Sequence, residues 1–258
     1  KISKPFPGSS NFFAGKKMKV IFSKLIIKNQ FEPSFIGIFL NPFFIARSGL
    51  LKSIKEFGND INGKTLDVGC GTKPYEKYFN CSQYIGLEIE TTLNRELKKA
   101  DFFYAGKKFP FNDSEFESLV TNQVLEHVFN PDEFLSEINR VLKPGGKFLL
   151  TVPFVWDEHE QPFDYARYSS FGLKSLLEKH GFEIIKHHKS VNDLGVIMQL
   201  INAYLYKITH KAPLIKQITT LTLCAVINFL GIIFSALLPK NDDLYLDNII
   251  LSIKVKSN

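Results

Sequence analysis

Cysteine is scarce in this sequence, and its placement excludes two kinds of stabilised small domain. The 258 residues contain three cysteines, Cys70, Cys81 and Cys224, which lie far apart along the chain. A structural zinc site needs ligands paired at short spacing, and a disulfide framework needs an even number of cysteines. The scarcity therefore argues against both and favours a reducing compartment, so we expect a cytoplasmic protein.

A concentrated basic region is also missing. Lysine and arginine outnumber aspartate and glutamate by 32 to 26, but no stretch interleaves basic and aromatic residues as nucleic-acid-binding surfaces do. We therefore expect no nucleic-acid partner. The net charge of +6 suits small anionic ligands or acidic lipid headgroups. With 45% hydrophobic and 22% charged residues, the chain has the composition of an ordered domain.

The third glycine of a dinucleotide-binding motif is absent as well. A strand-like segment ending at Val68 leads into Gly69-Cys70-Gly71, where two glycines allow the backbone to turn and approach a ligand closely. The last glycine of the pattern G-x-G-x-x-G is replaced by Pro74, which disfavours an NAD(P) dehydrogenase. A second predicted strand ends at Glu88, which places a carboxylate where the ribose of a cofactor would lie.

Three stretches in series resemble one enzyme family. LDVGCGT at 66–72, YIGLEIE at 84–90 and FPFNDSEFESLVTNQVLEHVFNPDEFLSEINRVLKPGGKFLLTVPF at 109–154 are similar to class I S-adenosylmethionine-dependent methyltransferases of type 11. The resemblance covers roughly Lys64–Ser190. It implies an α/β, Rossmann-like fold, with a seven-stranded, mostly parallel sheet, helices on both faces, and a last antiparallel strand between strands five and six. The implied cofactor is S-adenosyl-L-methionine.

Apolar periodicity and turn residues place the elements along the chain. We predict strands at 65–70, from about 83, and at 101–105, 119–122, 147–152, 182–188 and 248–254. The predicted helices are a short one near Pro74 and three at 93–99, 131–142 and 173–180, and a glycine turn at 143–146 is expected to end the helix at 131–142. The predicted organisation is an N-terminal arm and helical cap over 1–60, a methyltransferase domain over 61–194 and 241–258, and an apolar helical insertion over 195–240.

The resemblance assigns the cofactor site residue by residue. Asp67 is expected to anchor the amino group of the cofactor, with capping of the turn as its alternative role. Glu88 is expected to accept from both ribose hydroxyls, with Glu90 as the alternative acid. The other expected cofactor-binding positions are Gly69, Cys70, Gly71, Ala105, Gly106, Asn122 and Gln123.

Two positions depart from the family pattern. Lys73 stands where many members have a third glycine, and we expect it to narrow the space beside the methionine part of the cofactor. Ala105 stands where many relatives have an acid that binds the adenine amino group, so adenine would depend on backbone and apolar contacts.

The acceptor side has two predicted histidines. His127 follows strand four and could be a general base for a hydroxyl acceptor, or a packing residue at a helix start. Some quinone O-methyltransferases bind a metal through an acid-x-x-Glu-His set, but Gln123 replaces the first acid, so no metal is expected. His159 belongs to the loop after strand five, whose predicted substrate-binding residues are Trp156, Asp164, Tyr165 and Arg167. The alternative for this loop is a charged surface segment.

The acceptor itself is left open by the sequence. The run at 162–173 resembles methyltransferases of bacterial surface-polysaccharide synthesis, which indicates a hydroxyl or carboxyl of a small or lipid-linked sugar as the acceptor. Arg167 would then be able to hold a phosphate. The rivals are methylation of a quinone or another lipid, and a methyltransferase-like binding protein without turnover.

A long apolar segment follows predicted strand six. Residues 218–238 carry no charge and are long enough to span a bilayer, but strands on both sides of the insertion belong to one sheet. We therefore expect a helical hairpin over 195–239 that packs on the domain, forms a homodimer, or dips into one leaflet. In the last case the insertion would provide peripheral contact with the inner face of the cytoplasmic membrane. Residues 18–28 are expected to form either an ordinary helix packed on the domain with its lysines in solvent, or a basic amphipathic helix that adds to this contact.

Overall fold

A seven-stranded sheet organises residues 27–255, the part of the chain that the computed structural model describes. The predicted N-terminal arm and most of the predicted basic helix at 18–28 lie outside the described residues. The strands are β1 (Asn62–Val68), β2 (Asn80–Ile89), β3 (Phe102–Tyr104), β4 (Phe116–Asn122), β5 (Leu142–Pro153), β6 (Phe182–Ser190) and β7 (Asp247–Lys254). The helices are α1 (Gly37–Leu40), α2 (Phe44–Gly58), α3 (Thr92–Leu97), α4 (Pro131–Val141), α5 (Ser170–Lys179), α6 (Gly195–Thr209) and α7 (Pro213–Leu237).

The strand order is β3-β2-β1-β4-β5-β7-β6. Neighbouring strands from β3 to β5 are parallel, whereas β7 is antiparallel to both β5 and β6. This confirms the predicted sheet and the predicted place of its last strand. The order of the strands reverses between β1 and β4, and ligands of open α/β sheets bind beyond the carboxyl ends of the strands at such a switch point.

Alternating side chains of the central strands build one core layer on each face of the sheet. Leu119 of β4 and Leu150 of β5 belong to the layer covered by α4 and α5, whereas their neighbours Val120 and Leu149 belong to the layer covered by α2. This alternation follows from the two-residue period of a strand. Because α2 packs directly on the sheet, it is a layer of the domain as well as a cap.

Two element boundaries differ from those predicted. Strand β5 begins at Leu142 rather than at Lys147, because Leu142 pairs with Phe116 and the pairing then shifts register before Ser118. The predicted glycine turn at 143–146 therefore ends α4 but lies inside the strand. Between β1 and β2, the short helix expected near Pro74 is a single 3₁₀ turn at Glu76–Tyr78, since β2 starts at Asn80.

The insertion between β6 and β7 is a hairpin of α6 and α7. Within the described residues, one helix, Pro213–Leu237, has the length and composition to cross a membrane, with a mean hydropathy of 2.1 over its most apolar window. A π-helical turn at Thr220–Cys224 interrupts it.

Candidate cofactor and acceptor site

The loop after β1 contains two glycines that are needed for different reasons. Gly69 and Gly71 both have positive φ, at 74° and 54°. A Cβ on Gly69 would lie 2.4 Å from Cγ2 of Val124, so packing inside the domain requires that glycine. A Cβ on Gly71 would meet no atom closer than Nζ of Lys98 at 4.0 Å. Open space therefore lies beside Gly71, where a ligand can approach the backbone.

Glu88 ties this loop to the end of β2. Its Oε2 accepts from the backbone N–H of Gly71 at 3.1 Å, and its Oε1 accepts from Ile89 N–H at 3.2 Å. Each carboxylate oxygen can accept more than one hydrogen bond, so both keep capacity for a ligand. Glu90 is different: it is exposed, and its Oε1 is paired with Arg95 at 2.5 Å.

Asp67 is buried at the end of β1, and among residues 27–255 its side chain has one hydrogen-bond partner, the hydroxyl of Tyr84, which donates to Oδ2 at 2.6 Å. Burial raises the pKa of Asp67 from its ordinary 3.8 to about 7. The alternative role of capping the turn is not found, because the N–H groups of Gly69 and Cys70 both donate to the carbonyl of Leu87. The sequence did not reveal Tyr84, which comes from the neighbouring strand.

No atom of Lys73 lies within 4 Å of a Cβ placed on Gly71, and the expected narrowing of the space beside the methionine part of the cofactor stays a prediction. Lys73 has a φ of 55°, the left-handed conformation that a glycine would adopt there. Its side chain lies against Gly86 and reaches Asp101, with Nζ 2.5 Å from Oδ2. Asp101 also accepts from Gly86 N–H at 2.7 Å. The lysine is therefore held along β2.

The other predicted cofactor positions divide into exposed and engaged groups. Ala105 and Gly106 are exposed just beyond β3. The Cys70 thiol is buried, and burial raises its pKa to about 12, so only its backbone can contribute. Asn122 has a buried Oδ1 with no partner among the described residues. The side chain of Gln123, in contrast, donates to Thr151 Oγ1 at 3.3 Å and so points toward β5.

The two predicted histidines lie together. The rings of His127 and His159 have centroids 4.8 Å apart and meet edge to face. Nδ1 of His127 is 2.8 Å from the carbonyl oxygen of Phe163. A carbonyl can only accept, so Nδ1 carries the proton and Nε2 keeps a free lone pair. Burial lowers the pKa of His159, which favours its neutral form.

Glu126 is a residue of this site that the sequence analysis did not identify. Its side chain is fully buried, neither carboxylate oxygen has a hydrogen-bond partner among the described residues, and burial raises its pKa to about 8. Its Oε1 lies 3.8 Å from Nε2 of His127. The adjacency of an acid and a histidine after β4 was the available signal, but burial of the acid depends on the fold.

Glu126, His127 and His159 also form the set that could hold a metal ion. One ligand atom from each residue lies within 4.8 Å of the others. Two imidazoles and a carboxylate are ligands suited to a divalent transition metal. The carbonyl of Phe163 fixes the orientation of the His127 ring, as such hydrogen bonds do for metal-bound histidines. No metal was expected from the sequence because Gln123 replaces the first acid of the acid-x-x-Glu-His set. His159, the third member of the present group, comes from a different loop.

The loop after β5 is held together by an ion pair. Nη1 and Nη2 of Arg167 bind the two oxygens of Asp164 at 2.6 and 2.7 Å. Its remaining donors bind the carbonyls of Trp156, Asp157 and Ala166. The guanidinium holds the pKa of Asp164 well below its ordinary range. The predicted grip of Arg167 on a phosphate is therefore replaced by a structural role, and Asp164 shares that role.

The aromatic residues of this loop have separate neighbours. The ring of Trp156 is 5.9 Å from that of Phe43, which is itself 4.9 Å from Tyr206 of α6. Tyr165 is partly exposed and its ring lies 5.3 Å from Phe129. Its backbone N–H donates to the carbonyl of Glu126 at 2.8 Å. The loop thus closes over the turn that carries His127.

Comparison with known proteins gives the following matches. Residues 66–150, from β1 into β5, match the family described as Methyltransferase domain. An uncharacterized protein of Methanocaldococcus jannaschii is 28% identical over 143 residues, which cover 50% of this chain and 69% of that protein. A demethylmenaquinone methyltransferase of Leptospira interrogans is 26% identical over 200 residues, which cover 58% of this chain and 80% of that enzyme.

Among solved structures, Haemonchus contortus phosphoethanolamine N-methyltransferase 2 in complex with S-adenosyl-L-methionine has a TM-score of 0.52 at 20% identity. The superposition covers 90% of this chain and 57% of that chain, and it shows a common fold. The loop at 156–168 and the α6–α7 hairpin lie outside the residues that match the family.

Proposed function

Because this chain belongs to the class I S-adenosylmethionine-dependent methyltransferases, we propose that it transfers a methyl group to a hydroxyl or carboxyl oxygen of a small or lipid-linked saccharide. The observation that carries the proposal is the pair of histidines beside buried Glu126, at the carboxyl ends of β4 and β5. An oxygen acceptor that must lose a proton needs a base at such a position.

The residues around the β1 loop fit the cofactor. The open side of Gly71, the spare capacity of the Glu88 carboxylate and the orphaned Asn122 oxygen lie at the carboxyl edge of β1, β2 and β4. Glu88 would hold the ribose hydroxyls, and Asp67 the amino group. The cofactor supplies an electrophilic methyl group on a sulfonium sulfur.

His127 is proposed to be the general base. Its Nε2 accepts the proton of the acceptor hydroxyl while the acceptor oxygen forms a bond to the methyl carbon and the carbon–sulfur electron pair returns to sulfur. The carbonyl of Phe163 holds the tautomer in which Nε2 is the basic nitrogen. The ion pair between Arg167 and Asp164 positions the loop that brings His159 beside His127. Alignment of acceptor and donor supplies much of the remaining rate enhancement.

A lipid acceptor such as a quinone is the second candidate. It is supported by the name of the Leptospira relative and by the contact between Trp156 of the acceptor loop and Phe43, which packs on α6. A methyltransferase-like binding protein without turnover is the third candidate, and its support is the pair of departures from the family pattern at Lys73 and Ala105.

Affinity for the cofactor is expected to depend on pH through Asp67. The carboxyl has a pKa of about 7 and must be ionised to hold an ammonium group, so affinity should fall about tenfold from pH 7.5 to pH 6. Above pH 8 affinity should fall again, because the α-amino group of the cofactor loses its proton. Calorimetric titration across this range measures the effect.

The control for this pH dependence is a pair of tyrosine substitutions. The hydrogen bond from Tyr84 lowers the pKa of Asp67, so Tyr84→Phe should shift the lower transition toward higher pH. Tyr78→Phe, which leaves Asp67 untouched, should not. An affinity that stays constant between pH 6 and pH 7.5 would contradict the assignment of Asp67 to the ammonium group.

The acceptor class is tested by transfer of a labelled methyl group from S-adenosylmethionine. Sugar nucleotides, lipid-linked sugars and quinols are offered in parallel, and the label is followed into aqueous or organic extracts. We expect base-resistant label on a saccharide for an ether product, and base-labile label for an ester at a carboxyl. Label in a quinol alone would favour the second candidate, and cofactor binding without transfer to any acceptor would favour the third.

A further inference from the structure

Helices α6 and α7 bury three polar side chains on their inner side, whereas many of their large apolar side chains are exposed on the outside. Gln199 and Asn202 of α6 and Asn228 of α7 are all fully buried. In a water-soluble amphipathic helix, the apolar stripe faces the core and the polar face meets water. The hairpin has the reverse arrangement.

The inner polar side chains form hydrogen bonds to neighbouring elements, and Oδ1 of Asn202 is the one buried oxygen among them without a partner in the described residues. Gln199 accepts from Ala46 N–H and donates to the carbonyl of Pro42, both at 3.0 Å. Asn202 donates to Asn228 at 2.8 Å, and Asn228 donates to the carbonyls of Ile38 and Asn41 at 2.9 and 3.0 Å. These bonds fix which side of each helix faces the domain.

Small residues accompany the polar ones on the inner side of α7. A Cβ on Gly231 would lie 2.5 Å from Cδ1 of Ile45, so this glycine permits close approach of α7 to α2. Ser235 donates to Asp193 at 2.6 Å. Polar and small residues between helices, with apolar side chains turned outward, are typical of helices in contact with lipid.

The outer side of the hairpin exposes many large apolar side chains, and we name this side the outward face. Its members include Ile201 and Tyr204 on α6. On α7 they include Ile218, Val226 and Phe229. The spacing within each helix is helical, and the exposed fractions of these side chains lie between 41% and 64%. Only 22% of the most apolar window of α7 is buried within the protein. Water-exposed apolar surface of this extent marks an interaction site.

The charge around the outward face indicates which kind of partner it binds. Residues 194–241 contain no aspartate or glutamate, but contain Lys207, Lys211, Lys216 and Lys240. Lys207 is paired with Asp157, and the other three lysines would be complementary to anionic lipid headgroups. A second copy of the chain, paired through the same face, would bring the four lysines of each copy together. We therefore propose that the outward face docks the protein on an anionic bilayer.

The topology requires that the hairpin lie in the plane of the interface. Strand β6 leads into α6 and strand β7 follows α7, and the two strands are hydrogen-bonded neighbours. Both ends of the hairpin must therefore stay on one side of the bilayer. Helix α6 has 15 residues, about 22 Å, which is shorter than a hydrocarbon core of about 30 Å. Insertion to the depth of one helix face satisfies both conditions.

Docking would bring the acceptor loop close to the membrane surface. Lys207 of α6 forms an ion pair with Asp157, with Nζ 3.1 Å from Oδ2, and also donates to the carbonyl of Glu158. Tyr206 contacts Phe43, which contacts Trp156. The docking itself does not depend on the proposed acceptor, but it gives a lipid-linked acceptor a direct route to His127.

Vesicle flotation of the full chain tests the docking. Wild-type protein is expected to float with vesicles of phosphatidylglycerol and phosphatidylcholine, and to do so less with phosphatidylcholine alone or at high salt. The double variant Val226→Glu/Phe229→Glu should bind at least about tenfold more weakly, because two charges replace apolar groups that would enter the bilayer. Phe171→Glu on α5, where the native ring is 82% exposed, is the matched control and should bind like the wild type.

Two further readouts keep the test decisive. Retained affinity for S-adenosylmethionine shows that the double variant is folded. Wild-type protein that stays in the bottom fraction of the gradient at low salt would overturn the proposal. A folded double variant that floats as well as the wild type would also overturn it. The proposal would likewise be overturned by a wild-type dimer in solution that the double variant converts to monomer while neither protein binds vesicles.

Discussion

Replacing Glu88 with alanine is expected to weaken binding of S-adenosylmethionine by about 10²–10⁴-fold. The substitution would remove two charge-assisted hydrogen bonds to the ribose hydroxyls, each worth about 1.5–3 kcal/mol. It would also free the N–H of Gly71, which now donates to Glu88, and so loosen the loop that faces the cofactor. Calorimetric titration with S-adenosylmethionine and S-adenosylhomocysteine measures the loss.

The matched control is Glu90→Ala. Glu90 lies two residues further along the same strand end, but it is exposed and paired with Arg95. Exposed ion pairs contribute about 0–1 kcal/mol, so this variant should bind the cofactor with wild-type affinity. Equal loss in both variants would indicate general damage to the end of β2, and loss in Glu90→Ala alone would transfer the ribose contact to Glu90.

Replacing His127 with alanine should lower kcat by about 10²–10⁴-fold while leaving affinity for the cofactor unchanged, because a general base acts only on the acceptor. Single-turnover transfer of the methyl group to the acceptor found by the labelling assay measures the rate. His159→Ala should have a smaller effect, since His159 contacts His127 and would influence the acceptor through it. His180→Ala is the matched control, because this histidine binds Asp132 on the surface of α4 and α5.

A chelator separates the two chemistries open to this cluster. If His127 acts as a general base, dialysis of the enzyme against EDTA leaves the rate of methyl transfer unchanged, and this is the expected result. Loss of activity on dialysis, with recovery on addition of a divalent metal, would show instead that Glu126, His127 and His159 are metal ligands. Wild-type transfer rates in His127→Ala would contradict both assignments.

Much of the fold could be predicted from local patterns. The predicted strands at 119–122 and 147–152 are buried strands whose neighbours in sequence fill opposite faces of the sheet, and a two-residue period makes this visible without a structure. Boundaries were less certain, because pairing across the sheet decides them. Leu142 becomes part of β5 only through its partner Phe116.

The candidate site divides in the same way. Gly71 and Glu88 lie at the ends of consecutive strands that are parallel neighbours, so their spacing in sequence already indicated that they meet. Glu126 and His159, and likewise Tyr84 and Asp67, come together through strand order and loop closure. Arg167 carries the residue type expected for phosphate, but five nearby acceptors satisfy its donors, which no pattern of residues could reveal.

The sequence by itself determined the class of fold, the glycine loop with its acidic strand end, and an insertion too apolar for an ordinary surface. These follow from local periodicity and from residue types with few alternatives. The tertiary structure decided the direction of each side chain. Asn228, which lowers the hydrophobicity of the insertion in sequence, is buried against α1, so the face turned outward is more apolar than the average. Burial also raised the pKa of Asp67 and Glu126, because removal from water disfavours a charged carboxylate, and that depends on the neighbours that the fold supplies.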